Sequence, residues 1–520
     1  MFLPNSAEEL ARFKELQTKL PDLYNRVNDD NRIDQTILVV PSLSMDPREL
    51  SKISGVHHYE ERLLYMLMLL RHSRTRVIFV TSQKISPTVI DYYLHLLGGM
   101  PTAHSRHRLM MLDCSDSSDL PLSEKILRRP LLLERIRRYL GDPANAHMVC
   151  FNSTWLERTL AVRLGIPLYA NDPDLNVFGT KSGCREIFRA AGIDFPDGFE
   201  NLREPADMAE ALTELAYRNP GIKRAVVKLN DGFSGEGNAL FYYEGTEGFD
   251  AAERKKKILA NLPQLKFEAE FETWESYREK YRDMGGVVEM FVEGENKESP
   301  SSQCRVNALG EAVPISTHDQ VLGGATGQVF LGCTFPANVA YRLDIQAAGM
   351  QVAKELAKYG VLGRFATDFV SVPQKDGSYK HYAIEINLRK GGTTHPFSTL
   401  RFLTDGVYNP DTGEFYAQND QPKSYFASDT LQSEYFKGLL PEDLIDIALY
   451  HDLHFYPNIE RGTVFHLMGA LSEFGKLGLL CIGDNLQQAK FLYNKASSVL
   501  YKAARKNYAK IGLELPEPKK

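Results

Sequence analysis

Cysteine is sparse and scattered in this chain. Six residues, Cys114, Cys150, Cys184, Cys304, Cys333 and Cys481, are spread over 520 positions with no Cys-x-x-Cys spacing. That excludes a disulfide framework and a cysteine-built zinc site, and it leads to the expectation of reduced thiols in a cytoplasmic protein. Long apolar runs are missing too. The longest, Leu63 to Leu70, is far short of the roughly 20 residues a membrane span needs, so no membrane partner is expected. No basic-then-apolar leader pattern opens the sequence. A net charge of −6 leaves no footprint for nucleic acid. The densest basic run, Arg254-Lys255-Lys256-Lys257, falls in a helical pattern and reads as a solvated face. There is no Gly-x-Ser-x-Gly elbow and no Gly-x-x-x-x-Gly-Lys-[Ser/Thr] loop. The turn Val39-Val40-Pro41-Ser42-Leu43-Ser44 lacks the glycines a dinucleotide fold places after its first strand, which argues against a nicotinamide enzyme. The histidine pairs His57-His58 and His451-x-x-His454 have no adjacent third ligand and read as packing or hydrogen-bonding residues.

What is present is an ordinary globular composition, long enough for three or four domains. Residues 1–30 read as polar helix. Strand patterns at 36–40, 76–81, 107–113, 147–152 and 167–170 alternate with helical ones at 59–71, 89–97 and 122–140. That alternation predicts a parallel α/β layer over roughly 35–175. A helix follows over 179–192, capped near Thr180, and another over 203–218. Strands are expected at 224–229, 239–243 and 287–292, with a charged helical stretch over 250–285 between the last two. Two strands bracket Gly310-Glu311, and a long helix covers 338–359. From about 401 strand and helix mix, closing on an amphipathic helix near 485–505.

The most informative stretch is Ala383 to Thr394. Glu385 and Asn387 sit two apart in an apolar strand pattern and therefore share a face. Upstream, Gly363 to Val370 reads as a second strand, and Asp376-Gly377 between them is a favoured two-residue hairpin turn. That turn sets Asp368 directly across from Glu385, on the face of Asn387. Pro373 threatens the register, because it cannot donate to a ladder and can introduce a bulge. Opposed carboxylates repel unless a cation sits between them, and three hard oxygen ligands of this kind suit Mg²⁺. A solvated acidic hairpin is the competing reading.

Three weaker features precede it. Val226-Val227-Lys228-Leu229 delivers one lysine to the loop Asn230 to Asn238, where Gly232, Ser234, Gly235 and Gly237 let backbone N–H groups approach an anion. Read alone, this loop fits a flexible surface hairpin equally well. The strand edge Glu289 to Val292 could read an adenine edge, with Glu295 beyond it to accept from ribose. Lys181 opens a helix, where a cation opposes the macrodipole unless an anion lies nearby.

The order of these pieces resembles the ATP-grasp superfamily over about residues 175–400, and the preceding layer resembles the pre-ATP-grasp domain that accompanies it. Ser299 to Arg305, Ser316 to Gly324, Glu385 to Pro396 and Val464 to Glu473 look like the pheganomycin-type peptide ligases and the ATP-grasp region of IQ-motif-containing protein H. The resemblance implies a domain order of 1–175, 176–285 and 286–400, then a C-terminal α+β extension over 401–520 packed on the core. It implies ATP and Mg²⁺, with Lys181 and Lys228 as nucleotide lysines and Gly232 to Gly237 as the phosphate loop. Glu289, Val292 and Glu295 match the adenine and ribose region, the ribose acid being fixed only to within a residue or two. Asp368, Glu385 and Asn387 match the metal ligands. Arg305 matches a strand arginine near the γ-phosphate or the acyl group. The family places a catalytic arginine two residues before the metal Asp, whereas Arg364 here is four before, and Arg389 is a second candidate.

The function expected from this resemblance is an ATP-dependent carboxylate–amine ligase. It would form an amide or peptide bond through an acyl phosphate, releasing ADP and phosphate. The partners would be a small carboxylate and an amine, amino acid or peptide, in a protein that could be an oligomer. Loops at Gly55 to Arg62, Thr317 to Gln320 and Thr393 to His395 are the candidate substrate walls. The rival readings are a catalytically silent ATP-binding regulatory module and a carboxylate kinase.

Overall fold

The computed structural model describes residues 3–30, 32–45, 50, 53, 55–232, 237–269, 271–323, 329–510 and 512, arranged around three sheets. The first is parallel, with β1 (Gln35–Val40), β2 (Thr75–Thr81), β3 (Leu109–Asp113) and β4 (Ala146–Cys150) in the order β3-β2-β1-β4. Its central strands are apolar on both faces because both faces are covered. Ile37, Val39, Val77 and Phe79 enter one core, while Leu38, Val40, Ile78 and Val80 enter another.

Several connections differ from the sequence reading. The stretch Val56–Arg71 is a 3₁₀ helix. It is buried on nearly every side, so no amphipathic period distinguishes it from an α-helix. The helix expected over 122–140 is two, Leu122–Leu127 and Pro130–Leu140. Pro130 lacks the N–H to continue the first and its fixed φ suits the start of the second. Residues 167–170 form a single bridge, Met148 to Leu168, not a strand. An unanticipated helix, Trp155–Leu164, starts at the capping box of Thr154 and Glu157.

The second sheet is antiparallel, with β5 (Gly198–Leu202), β6 (Arg224–Leu229), β7 (Asn238–Tyr242), β8 (Lys266–Phe267) and β9 (Gly286–Met290) in the order β5-β9-β6-β7-β8. The charged stretch 250–285 is two helices, Ala251–Asn261 and Trp274–Met284, with β8 between them. Tyr277, Tyr281 and Ile258 from these helices pack on Ala225, Val227 and Phe241.

The third sheet has ten antiparallel strands: β10 (Pro300–Val306), β11 (Ala312–Gly323), β12 (Val329–Phe335), β13 (Gly363–Pro373), β14 (Tyr379–Asn387), β15 (Val407–Asn409), β16 (Glu414–Tyr416), β17 (Pro422–Gln432), β18 (Gly462–His466) and β19 (Lys476–Gly483). Its order is β14-β13-β10-β11-β12-β17-β16-β15, with β19 joining β17 to β18. One face of β10 and β13 is covered by the helices Arg342–Lys358 and Lys181–Ala191 through Ile345, Val352, Leu356, Ile187 and Phe188. The chain beyond 401 extends this same sheet, because β17 pairs with β12. The helix Leu486–Lys510 then buries Ala496, Leu500 and Ala504 in a core shared with β1 and β2. Among the described residues no helix is long and apolar enough to cross a membrane.

Candidate active site

The hairpin of β13 and β14 places Asp368 opposite Glu385 and Ala366 opposite Asn387. The turn leading there is not the two-residue one expected. The Gln374 N–H donates to the Ser378 carbonyl at 2.7 Å, closing a three-residue loop in which Gly377 adopts a φ of 86°. Beyond it the pairing runs one residue out of the anticipated register, with Phe369 opposite Ala383 and Pro373 opposite Tyr379. A bulge between Asp368 and Phe369 then absorbs Ile384 and restores the Asp368–Glu385 pair. The two departures cancel. Ile384 and Glu385 consequently both line the cavity that this face borders.

That cavity, of about 580 Å³, lies between the second and third sheets and collects most of the anticipated residues. Lys181, Lys228, Gly232, Gly237, Glu289, Val292, Asp368, Glu385, Asn387 and Arg389 all line it. Asp368 accepts from Ser301 Oγ at 2.6 Å and from Asn387 Nδ2 at 2.9 Å. Burial and the facing Glu385 raise its carboxyl to about 6. Burial would also raise Glu385, but Lys181 Nζ, 2.6 Å from Oε1, holds it below the usual range. Lys181 is the first residue of its helix, with Thr180 Oγ1 capping Gly183 N–H, and Glu385 is the anion that a lysine in that position needs. Asn230 fastens the loop after β6 to this helix: its Oδ1 accepts from Ser182 N–H at 2.9 Å.

Lys228 is not a solvated surface lysine. It is buried at 8% exposure, with Nζ on Glu289 Oε2, while Arg185 Nη1 sits 2.9 Å from the other carboxylate oxygen. Burial pushes Glu289 up, yet these two cations keep its carboxyl below the ordinary value. Gly232 and Gly237 face each other across the loop, a Cβ on Gly232 meeting the Gly237 backbone at an ordinary contact distance of 3.4 Å. Ser234 and Gly235 lie outside the described residues.

The adenine and ribose expectations need correction. β9 is no edge: it pairs with β5 on one side and β6 on the other, and it ends at Met290. Glu289 is thereby a buried partner of Lys228. Exposed backbone begins only past the strand, where the Val292 carbonyl already accepts from Lys297 Nζ at 2.9 Å. Glu295 is exposed and absent from the cavity wall, whereas Glu298, three residues on, lines it together with Lys297. Ser301, Gln303 and Gln320 also line it. Their signal was the period-two pattern Ser301, Gln303, Arg305 on one strand face.

Arg305 and Arg364 stand elsewhere. They are directly opposed across β10 and β13 and line a second cavity of about 330 Å³, between the third sheet and the first layer. Four residues separate Arg364 from Asp368, about 13 Å along a strand, so Arg364 belongs to the neighbouring chamber. Arg389 and Phe151 line both cavities.

Two further clusters are brought together only by the fold. Beside the larger cavity, His466 Nε2 lies 2.6 Å from Asp429 Oδ1 and 3.1 Å from His395 Nε2, all three residues buried. Arg62, which lines the cavity, pairs with the other Asp429 oxygen. The His57-His58 pair gains a neighbouring carboxylate, Glu473, that is distant in sequence.

Two antiparallel sheets close on one cavity, with lysines from one side and an Asp, Glu and Asn set from the other, as the sequence resemblance implies. A family model described as IQCH-like, ATP-grasp matches residues 174–246 and 249–411. A second model, described as PGM1 C-terminal domain, matches residues 443–496. The chain is 27% identical over 490 residues to an L-propargylglycine–L-glutamate ligase of Streptantibioticus cattleyicolor, covering 92% of this chain and 97% of that protein. It is 21% identical over 543 residues to IQ motif-containing protein H of Danio rerio, covering 95% of this chain and 51% of that longer protein. A solved N5-carboxyaminoimidazole synthetase from Staphylococcus aureus superposes with a TM-score of 0.48 at 13% identity, covering 89% of this chain and 98% of that one.

Proposed function

We propose that this protein is an ATP-dependent carboxylate–amine ligase that forms an amide through an acyl phosphate and releases ADP. The observation that carries the reading is the junction at Arg389. On one side lies a cavity with two lysines and the Asp368, Glu385 and Asn387 side chains on its wall, and on the other a basic chamber with no Asp or Glu among its described lining residues. The first suits a nucleoside triphosphate and the second a carboxylic acid. The name of the Streptantibioticus relative supports amino acids or a peptide as the acid and amine.

Lys181 and Lys228 are held by Glu385 and Glu289, and a triphosphate would compete for both ammonium groups. Asp368, Glu385 and Asn387 would suit a hard divalent cation: all three line one cavity, Asp368 is paired across the ladder with Glu385, and the Asn387 amide already lies against Asp368. Bound there, Mg²⁺ would neutralise charge on the transferring phosphoryl group. Arg389, at the passage, would orient the carboxylate oxygen toward the γ-phosphorus. The O–P bond forms, the β–γ bridge breaks and ADP leaves. The amine nitrogen then attacks the acyl carbon, phosphate departs and the amine proton is lost. Positioning and electrostatics suffice for such transfers, so no protein nucleophile is needed.

Hydroxylamine tests the reading. With ATP, Mg²⁺ and a competent acid, a hydroxamate should accumulate in step with ADP. A carboxylate kinase would give the same hydroxamate, so the amine decides: a ligase turns the cognate amine into an amide with release of phosphate, whereas a kinase releases the acyl phosphate whatever amine is present. Nucleotide binding without acid-stimulated ADP release would mark a silent module.

A further inference from the structure

We propose that the second cavity seats the acid substrate, and that this acid carries a second anionic group held by Arg305, Arg364 and Arg401. The inference rests on the ligase reading for its chemistry, but not for the anion site itself.

Arg305 and Arg364 are opposed residues of an antiparallel ladder, where like charges destabilise. Arg401 joins them from the helix Thr394–Thr404. Among the described residues none of the three makes a hydrogen bond or ion pair, and Arg305 Nε is buried without a partner. Burial and the other two arginines draw Arg364 down to about 10. Elsewhere several enclosed cations of this chain have an acidic partner. Lys228 and Arg185 share Glu289, Lys181 has Glu385, Arg62 has Asp429, and Arg158 has Asp174. Among the described residues lining the second cavity there is no Asp or Glu. Arg305 and Arg364 are half-buried and Arg401 is exposed, and three clustered cations with no acid beside them make an anion from outside the missing partner.

The geometry gives the spacing. Arg389 and Phe151 border both chambers, so one end of a molecule in the second cavity meets the nucleotide cavity at Arg389. Arg364 lies four residues before Asp368 on β13, about 13 Å along the strand at roughly 3.3 Å each, so the arginine triad is set back from the carboxylate hairpin. The wall of the cavity carries apolar surface from Tyr65, Val149 and Phe402 beside polar groups such as Asn152 and Ser398. The fitting acid therefore has a carboxylate to be activated and, elsewhere in the same molecule, a second carboxylate or a phosphate that the triad can hold. An acid with one carboxylate would leave the triad unneutralised.

The test uses straight-chain monocarboxylates and dicarboxylates of matched length, with ω-phosphono acids as the phosphate counterpart. Thermal melts of the nucleotide-free protein should show a larger midpoint rise with the dianions. Arg364→Met should erase that difference while raising the midpoint of the ligand-free protein, because it relieves repulsion; a merely structural arginine would lower it. Arg401→Gln, on an exposed helix position, gives the same readout without touching the sheet. In the hydroxylamine assay, kcat/KM for dianions should exceed that for matched monoanions by about tenfold or more, the worth of a charge-assisted contact. Either substitution should collapse the ratio. Equal melts with mono- and dianions overturn the inference even if turnover is brisk. A dianion-selective melt with no hydroxamate from any acid leaves the anion site standing and overturns the ligase reading.

Discussion

Lys228 and Arg254 are both basic residues of the second sheet and its helices, yet their surroundings give opposite expectations. Lys228 is buried on the cavity wall, while Arg254 lies off it, donating to the Thr246 carbonyl at 2.8 Å and lying over the Tyr217 ring. Lys228→Ala should weaken ATP binding by roughly 1.5–3 kcal/mol, the loss of a charge-assisted contact, and Arg254→Ala should leave it unchanged. Equal losses in a titration of the two variants would mean the nucleotide lies elsewhere. Asp368 carries the pH dependence. Its carboxyl is raised from 3.8 to about 6 by burial and by Glu385. Above pH 6 both folded and unfolded forms are ionised, and the folded state bears the full penalty. As pH falls through 6 the folded carboxyl takes up its proton before the unfolded one does, and the penalty fades toward pH 4. Asp368→Asn should therefore stabilise the metal-free protein at neutral pH by about 1–2 kcal/mol, an advantage lost as the pH approaches 4. The same variant should lose its Mg·ATP-induced rise in melting temperature. Melts across this range that show a constant difference, or an intact ligand shift, would remove Asp368 from the metal site.

At the scale of elements, the hairpin shows what a pattern can carry. Gly377 is needed for its backbone, since its φ of 86° is strained for other residues while a Cβ there would touch nothing. Gly377→Ala should cost about 1–2 kcal/mol of stability and leave the KM for ATP unchanged. The register at Asp368 is held at the other end, where Phe369 and Ala383 are buried in the core. A changed KM would show that the turn, not the core, sets the register. Alternation identified the face shared by Glu385 and Asn387, but no local signal announced Ile384 as a bulge, because a bulge answers to what both strands pack against. Strand pairing likewise hid that β9 is central: an apolar run ending in glycine reads the same in the middle of a sheet as at its edge. The helix Trp155–Leu164 was legible, since Thr154-x-x-Glu157 is a capping box in the sequence itself.

On the scale of the whole molecule, the two cavities are bounded by parts remote in sequence. Phe151 comes from the end of β4, Arg389 from the end of β14, and Arg305 and Arg364 from the ladder between β10 and β13. The order of lysine helix, lysine strand, glycine loop and carboxylate hairpin could be read along the chain because each piece is local. The pairing of Arg62 with Asp429, and of His395 with His466, could not, because only the continuation of the ten-stranded sheet through β17 and β18 brings them together. The central claim is that a carboxylate oxygen attacks the γ-phosphorus in the larger cavity. Oxygen-18 placed in the carboxylate of the acid selected by the hydroxamate screen tests it most directly. The account predicts a single labelled oxygen in the inorganic phosphate released with ADP, and none in any nucleotide. Label appearing in AMP, with pyrophosphate as the other product, would contradict it.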